Sequence, residues 1–176
     1  HILPVLRHNA WDILSLVALA AHVAAACDGE AFPLQSARAA EYAGDHGTAA
    51  LRYEAALAGE LGRPQRLEAL ERAARNHARS GSWAAAAAAW QSLIDEPRGR
   101  RLLPYVELAK IAEHRLHDPG RALELADRAL DLAERGLVPP GPANGELAVG
   151  ALRKRRDRLA ARTARAKGER VVNATR

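Results

Sequence analysis

The chain has no methionine, one cysteine and few aromatic residues, which make up 4% of its 176 positions. The lone Cys27 excludes a disulfide within the chain, and such cysteine usage is typical of the reducing cytoplasm. Runs of β-branched residues are scarce while alanine and leucine dominate, which favours helices over strands. The one candidate strand is the segment from Ile2 to Leu6. The composition therefore predicts a cytoplasmic protein of the all-α class.

Long apolar runs are also missing. No stretch approaches the ~20 apolar residues of a membrane-spanning helix, so we expect no membrane partner. The longest apolar run, from Ile13 to Cys27, contains two polar interruptions, and we expect it to form a buried helix that starts near Asp12. A natural translation product begins with methionine, whereas this chain begins with His1. Either its start was processed or it is the C-terminal part of a longer protein, and we expect the latter because nothing at the start resembles a signal-peptide remnant.

Three segments of the chain repeat one pattern at nearly the same interval. The small residues Ala49, Ala86 and Ala122 occupy equivalent places in it and lie 37 and 36 residues apart. A repeat of about 34 residues that forms paired helices is the tetratricopeptide pattern. The spacing therefore predicts about three helical hairpins, each with a helix A and a helix B; a plain helical bundle with chance similarity is the alternative. Repeat arrays of this kind usually provide binding surfaces.

The turn of each predicted hairpin has a local explanation. Gly44 and Gly81 suit the left-handed conformation that ends helix A, and Asp45 or Ser82 then caps helix B. In the third hairpin His117 replaces the glycine, so we expect a more strained corner there. One face of each helix B is predicted to be buried: Ala49, Tyr53 and Leu57; Ala86, Trp90 and Ile94; Ala122, Ala126 and Leu130.

These features divide the chain into four segments. Residues 1–30 are predicted to be a terminal segment with one apolar helix, and residues 31–136 hold the repeats. Residues 137–143 are rich in proline and glycine and are expected to form a rigid linker. Residues 144–176 are predicted to be a basic capping helix that ends near Ala166, followed by a disordered tail.

Positive charge is concentrated in that last helix. From Arg153 to Arg176 there are ten Lys or Arg and two acidic residues, whereas the remaining chain has a small net negative charge. Such a basic segment predicts contact with nucleic-acid phosphates, and no aromatic residues interleave for base stacking. The alternative is a solvated helix that closes the repeat array and docks through a narrow stripe around Leu152 and Leu159. The candidate contacts are Arg153, Lys154, Arg155, Arg156, Arg158 and Arg162.

The other chemically suggestive pair is His8 and Asp12, at the start of the apolar run. A carboxylate binds a divalent metal and a nearby imidazole orients water or accepts its proton, so a metal-dependent nuclease could use this pair. The alternative is that Asp12 favours the helix N-terminus electrostatically while His8 lies in a loop. The cluster of Glu113, His114 and His117 is a weaker metal candidate, because it lacks the His-Glu-x-x-His order of zinc proteases.

The segment His8-Asn9-x-x-Asp12-Ile13-Leu14-Ser15-Leu16 resembles the end of the ribonuclease-H-like exonuclease domain in bacterial YprB-like proteins. In that family the motif is followed directly by tetratricopeptide-type helices. The third repeat, from Glu107 to Leu125, is similar to the most recognisable stretch of the family's C-terminal region. The order of the two parts matches, and the resemblance covers almost the whole chain.

The resemblance implies the accessory region of a DEDD-type 3′–5′ exonuclease that uses two divalent ions, Mg²⁺ or Mn²⁺. Asp12 would be the last of its four carboxylates, and His8 the Tyr or His that precedes it. In such enzymes three residues separate a Tyr from that Asp, or four residues separate a His from it, whereas here three residues separate His8 from Asp12. The other carboxylates would lie in an upstream nuclease domain, so we expect this chain to be inactive by itself.

The expected partners are therefore the upstream nuclease domain, nucleic acid on the basic helix, and a protein on the repeat surface. An alternative function is a stand-alone tetratricopeptide protein-interaction module with no nuclease role.

Overall fold

The computed structural model describes residues 2–28, 32–96, 101–139 and 145–174, and within these ranges it contains helices and no strand. The helices are α1 (Leu3–Asp28), α2 (Pro33–Tyr42), α3 (His46–Ala58), α4 (Arg63–Arg79), α5 (Trp83–Asp95), α6 (Leu102–His114), α7 (Pro119–Glu134) and α8 (Glu146–Ala174). The predicted all-α class, with helical-hairpin repeats, is confirmed. Over the ranges described, none of the helices is long and apolar enough to cross a membrane.

The chain divides into two compact units, one up to Asn76 and one from His77 onward. In the second unit α5 packs against α6, α6 against α7, and α7 against α8. In the first unit the core lies between α2, α3 and α4, where alanines allow the helices to approach closely. The buried residues of that core are Leu34, Ala37, Ala40, Ala49, Tyr53, Ala56, Ala69 and Ala73.

Left-handed residues lie at the three hairpin corners. Gly44 has φ +79° and Gly81 has φ +82°, while His117 adopts φ +54° in the third hairpin. Within the described ranges His117 is the one residue other than glycine with a positive φ. A side chain in this conformation costs roughly 1–2 kcal/mol. The expectation of a strained third corner is therefore confirmed.

Side-chain caps begin the B helices of the first and third hairpins. Asp45 accepts a hydrogen bond of 3.0 Å from the backbone N–H of Thr48, and Asp118 accepts one of 2.8 Å from that of Arg121. The bond from Thr48 holds the pKa of Asp45 below its usual range. Ser82 occupies the same place before α5, but its side chain makes no capping bond. The capping prediction is thus confirmed for Asp45 and wrong for Ser82.

The predicted anchors of the B helices lie in the core. Ala49, Ala86 and Ala122 each have 0% of their surface exposed. One turn further on, Tyr53 is 0% exposed and Trp90 is 2% exposed. At the third predicted position, Leu57 and Ile94 of the first two hairpins are half-buried, and Leu130 of the last is buried. The buried face predicted for each helix B is therefore confirmed at its first two positions.

α1 departs from the expectation in both extent and burial. It begins at Leu3 rather than near Asp12, and the segment from Ile2 to Leu6 belongs to it instead of forming a strand. Its side chains are exposed along residues 3–24, although the sequence predicts a buried helix. The prediction of burial is wrong because, within the described residues, α2 is the one helix that packs substantially against α1.

α8 is longer than the sequence suggests. It runs to Ala174 instead of ending near Ala166, so the predicted disordered tail is helical up to that residue. Alanine, arginine, lysine and glutamate recur in this stretch and have high helix propensity. Of the predicted linker, residues 137–139 are outside any helix, and residues 140–143 lie outside the described ranges.

Candidate functional site

The His8 and Asp12 side chains are neighbours on α1. Their positions lie one helical turn apart, and His8 Nε2 is 3.5 Å from Asp12 Oδ2. Both side chains are open to solvent, with 78% of His8 and 59% of Asp12 exposed. Because α1 begins at Leu3, Asp12 lies well inside the helix, and the alternatives of a helix-start aspartate and a loop histidine are both wrong.

This pair alone does not make a metal site. Across the residues that the structure describes, no three or more His, Cys, Asp or Glu side chains lie close enough to hold a metal ion. A two-metal centre needs several carboxylates around the ions. Asp12 provides one carboxylate and His8 one imidazole, so Mg²⁺ or Mn²⁺ bound here would need further ligands from outside the chain.

The surroundings of the pair are strongly apolar. Large side chains point out from every side of α1; five of them, Trp11, Ile13, Leu14, Leu16 and Val17, are 60–66% exposed. Consecutive residues such as Leu16 and Val17 are separated by about 100° around a helix, so these side chains surround it. A helix that is apolar all round is normally enclosed in a protein interior. α1 thus has the surface of a core helix although the described part of this chain does not enclose it.

A polar network joins the three core helices of the first unit. Glu41 of α2 accepts hydrogen bonds of 2.8 Å from the Tyr53 hydroxyl and from the Arg72 guanidinium. Burial acts to raise the pKa of Glu41, but these hydrogen bonds and the charge of Arg72 hold the pKa below its usual range. Burial and the nearby Glu41 carboxylate raise the pKa of Tyr53. The phenol therefore stays a hydrogen-bond donor, and the network stabilises helix packing.

In the second unit α8 docks through the two leucines of its predicted stripe. Leu152 is 2% exposed and Leu159 is fully buried. The two residues are seven positions apart and therefore lie on one face of α8, which packs against α7. The predicted docking stripe is confirmed, and it fixes which cations of α8 can face solvent.

A buried carboxylate binds two of the predicted nucleic-acid contacts. Glu113 of α6 is 4% exposed, and its side chain lies 2.8 Å from Arg155 Nη1 and 2.8 Å from Arg158 Nη2. A buried charge is tolerated when it is paired in this way. Arg155 and Arg158 therefore hold α8 against α6, a role that the sequence analysis missed.

Two further candidates also have partners within the second unit. Arg153 Nη2 lies 3.3 Å from Glu134 Oε1, and Arg156 Nε lies 2.8 Å from Asp157 Oδ1. The Arg153–Glu134 pair is more than half exposed on both sides, so it contributes little to stability.

The remaining candidates, Lys154 and Arg162, are exposed and make no ion pair with any residue in the described ranges. Arg165 shares both properties, although the predicted set omits it. The helical period separates Lys154 and Arg165, which lie away from the leucine stripe. Arg162 follows Arg155 by seven residues and lies on the same side of the helix, so the contact of Arg155 with Glu113 is what distinguishes these two.

The weaker metal candidate is not supported by the geometry. His114 Nε2 lies 3.4 Å from Glu113 Oε2, but both carboxylate oxygens of Glu113 accept hydrogen bonds from arginines. His117 is used at the left-handed corner of the third hairpin. Glu113 therefore has a structural role in pairing with arginines and is not available as a metal ligand.

The sequence matches no protein-family model and none of the curated proteins.

Proposed function

We propose that this chain is the accessory helical-repeat region of a ribonuclease-H-like, metal-dependent 3′–5′ exonuclease, with α1 as the last helix of the catalytic domain. The observation that carries the proposal is the surface of α1. It exposes large apolar side chains on all sides and places His8 next to Asp12 among them. A helix of this kind fits the interior of a domain better than solvent.

Enclosing α1 in a catalytic domain would change the environment of both polar residues. Asp12 would become one of several carboxylates around Mg²⁺ or Mn²⁺, which supply a metal-activated water and stabilise charge on the phosphate. His8, on the preceding turn and 3.5 Å from Asp12, would orient the attacking water or accept its proton. The chain itself contributes one ligand, so its isolated form is expected to be inactive.

The accessory role of residues 31–136 rests on their packing. The polar side chains between α2 and α4 bind one another; for example, Arg38 forms two hydrogen bonds of 2.8 and 2.9 Å to Glu68. Helical-hairpin arrays generally serve as extended binding surfaces. We therefore assign binding to the repeats and catalysis to the domain around α1.

The test uses a longer protein in which the natural upstream sequence precedes this chain. It compares nucleic-acid cleavage by the unmodified protein with cleavage by two of its variants. The unmodified protein should show Mg²⁺- or Mn²⁺-dependent 3′–5′ cleavage of end-labelled DNA or RNA. Asp12→Asn should reduce the cleavage rate by at least about a hundredfold, since metal activation of water depends on its ligands. The matched control is Asp127→Asn, a substitution at an exposed aspartate of α7, which should leave the rate unchanged.

Full activity of the Asp12→Asn protein would refute the assignment of Asp12. Inactivity of the unmodified protein on single- and double-stranded substrates would favour the second function, a stand-alone tetratricopeptide-like interaction module without a nuclease role. That alternative is supported by the helical-hairpin repeats alone and does not need α1.

A further inference from the structure

The exposed cations of α8 form a line along one side of the helix. Lys154, Arg158, Arg162 and Arg165 lie within roughly a quarter of the helix circumference. We call these four residues the cationic stripe. From its first to its last residue the stripe spans roughly 16 Å at the usual rise of 1.5 Å per residue. It lies to one side of the buried Leu152 and Leu159 on the helix circumference, and all four of its side chains are exposed to solvent.

The charge of this stripe is mostly unneutralised. Arg158 is bound by Glu113, yet its side chain remains 59% exposed. Lys154, Arg162 and Arg165 are exposed and have no acidic partner among the residues described. Asp157 is the one exposed acid between the ends of the stripe, and its carboxylate lies 2.8 Å from Arg156. Three free cations on a rigid helix therefore face solvent together.

We propose that the cationic stripe binds the phosphodiester backbone of nucleic acid without reading the bases. Lys154, Arg158 and Arg162 follow one another at about 6 Å along the helix axis, which gives a regular row of positive charge. Lysine and arginine neutralise phosphates by charge and hydrogen bonding, and this contact carries no base information. The proposal deepens the proposed function and rests on it for the role of the bound strand, because it gives the accessory region its ligand.

The composition of the stripe favours nucleic acid over a lipid surface. Helices that lie on membranes combine cations with large apolar side chains that enter the acyl boundary. Between Lys154 and Arg165 the apolar residues that remain exposed are the alanines Ala161 and Ala164. Aromatic residues are also missing from this segment, so base stacking cannot supply affinity or sequence preference.

The experiment measures binding of the 176-residue chain to a fluorescein-labelled oligothymidine of about 20 nucleotides, by fluorescence anisotropy without metal. The triple variant K154Q/R162Q/R165Q removes the three free cations and keeps Arg158 for the fold. If all three contact phosphates, the slope of log K against log salt should decrease in magnitude by about 2, and the affinity at low salt should fall by roughly tenfold or more.

The matched control is the triple variant R7Q/R63Q/R128Q. It removes the same charge from three exposed arginines outside α8 that have no ion pair within the described residues. Its salt slope and affinity should equal those of the unmodified chain. Circular dichroism and the urea midpoint of each variant show that the helices remain folded.

Equal losses of affinity in the two triple variants would overturn the proposal, because binding would then depend on the net charge of the chain and not on the stripe. An unchanged slope in K154Q/R162Q/R165Q would overturn it as well. Equally tight binding to phosphatidylglycerol vesicles or polyglutamate at the same salt would replace nucleic acid with a general polyanion. The binding assay needs no cleavage, so its outcome is independent of the nuclease assay. If the stripe binds nucleic acid but the longer protein does not cleave it, only the proposed exonuclease function is refuted.

Discussion

Glu113 is the residue that separates structural arginines from free ones on α8. Its carboxylate is 4% exposed and accepts hydrogen bonds of 2.8 Å from both Arg155 and Arg158. A buried carboxylate without partners is costly, and so is a guanidinium that loses its partner in a partly buried position. The pairing therefore contributes to the position of α8 as well as to stability.

The substitution Glu113→Gln should lower the free energy of unfolding by about 1–3 kcal/mol, because two guanidiniums lose their charged acceptor. The urea midpoint, followed by circular dichroism, measures the loss. The control Glu134→Gln breaks an ion pair whose partners are 54% and 59% exposed, and it should change stability by less than about 0.5 kcal/mol. Equal effects of the two substitutions would contradict the structural role of Glu113.

For single residues, a contact could be predicted from the sequence when its partners are close along the chain, and not when they are far apart. The left-handed conformation of His117 was predictable because Gly44 and Gly81 occupy the same place in the repeat. The partners of Glu113 were not predictable, because Arg155 and Arg158 follow Glu113 by 42 and 45 residues and no local pattern links them to it. The basic segment is evident in the sequence, but the division of its cations into bound and free ones follows only from the packing of α8.

At the scale of elements, the helical hairpins depend on small residues at close contacts. α5 is nearly all alanine in its first half, yet its alanines are not equivalent: Ala86 is 0% exposed whereas Ala88 lies at the surface. The helical period distinguishes them, because Ala86 and Trp90 share the buried face. The repeat pattern identifies that face from the sequence alone.

Ala86→Leu should therefore destabilise the protein by about 1–3 kcal/mol, since extra methylenes in a close contact force the helices apart. Ala88→Leu adds the same volume to the same helix at an exposed position and should change stability by less than about 0.5 kcal/mol. Thermal unfolding of the two variants side by side gives the comparison. Identical melting temperatures would argue against the packing of α5 described above.

The burial of α1 could not be predicted from its sequence. Its apolar composition is typical of a core helix, but burial also depends on what surrounds the helix, and that information lies outside its own residues. The same limit applies to Asp12. The extension of α1 back over His8, which brings the His8 ring within 3.5 Å of Asp12, was not predicted, and the remaining ligands of a metal site are not encoded in this segment.

At the scale of the whole chain, two surfaces remain largely exposed within the described residues. One is the apolar surface of α1, which belongs to the first unit, and the other is the cationic stripe of α8, which belongs to the second. Apolar surfaces of this extent mark contacts with another protein surface or cause aggregation, and rows of cations mark contacts with polyanions. The two units thus carry chemically different surfaces, one apolar and one cationic.

Removal of residues 1–31 tests whether α1 serves the fold of this chain or an external contact. Packing of α1 within the described residues is substantial only against α2, and its His22 ring meets Phe32 at 5.1 Å. The shortened chain should therefore keep its helical signal per residue and unfold within a few degrees of the full chain, because the core between α2, α3 and α4 stays complete.

The same removal should reduce concentration-dependent self-association, measured by light scattering after size-exclusion chromatography, because it eliminates ten large exposed apolar side chains of α1. A matched variant, L14Q/L16Q/V17N, keeps α1 but lowers its apolar surface and should reduce association in the same direction. If the shortened chain instead lost its cooperative unfolding, α1 would be part of the core of the first unit. Its apolar surface would then no longer argue for a domain that encloses it.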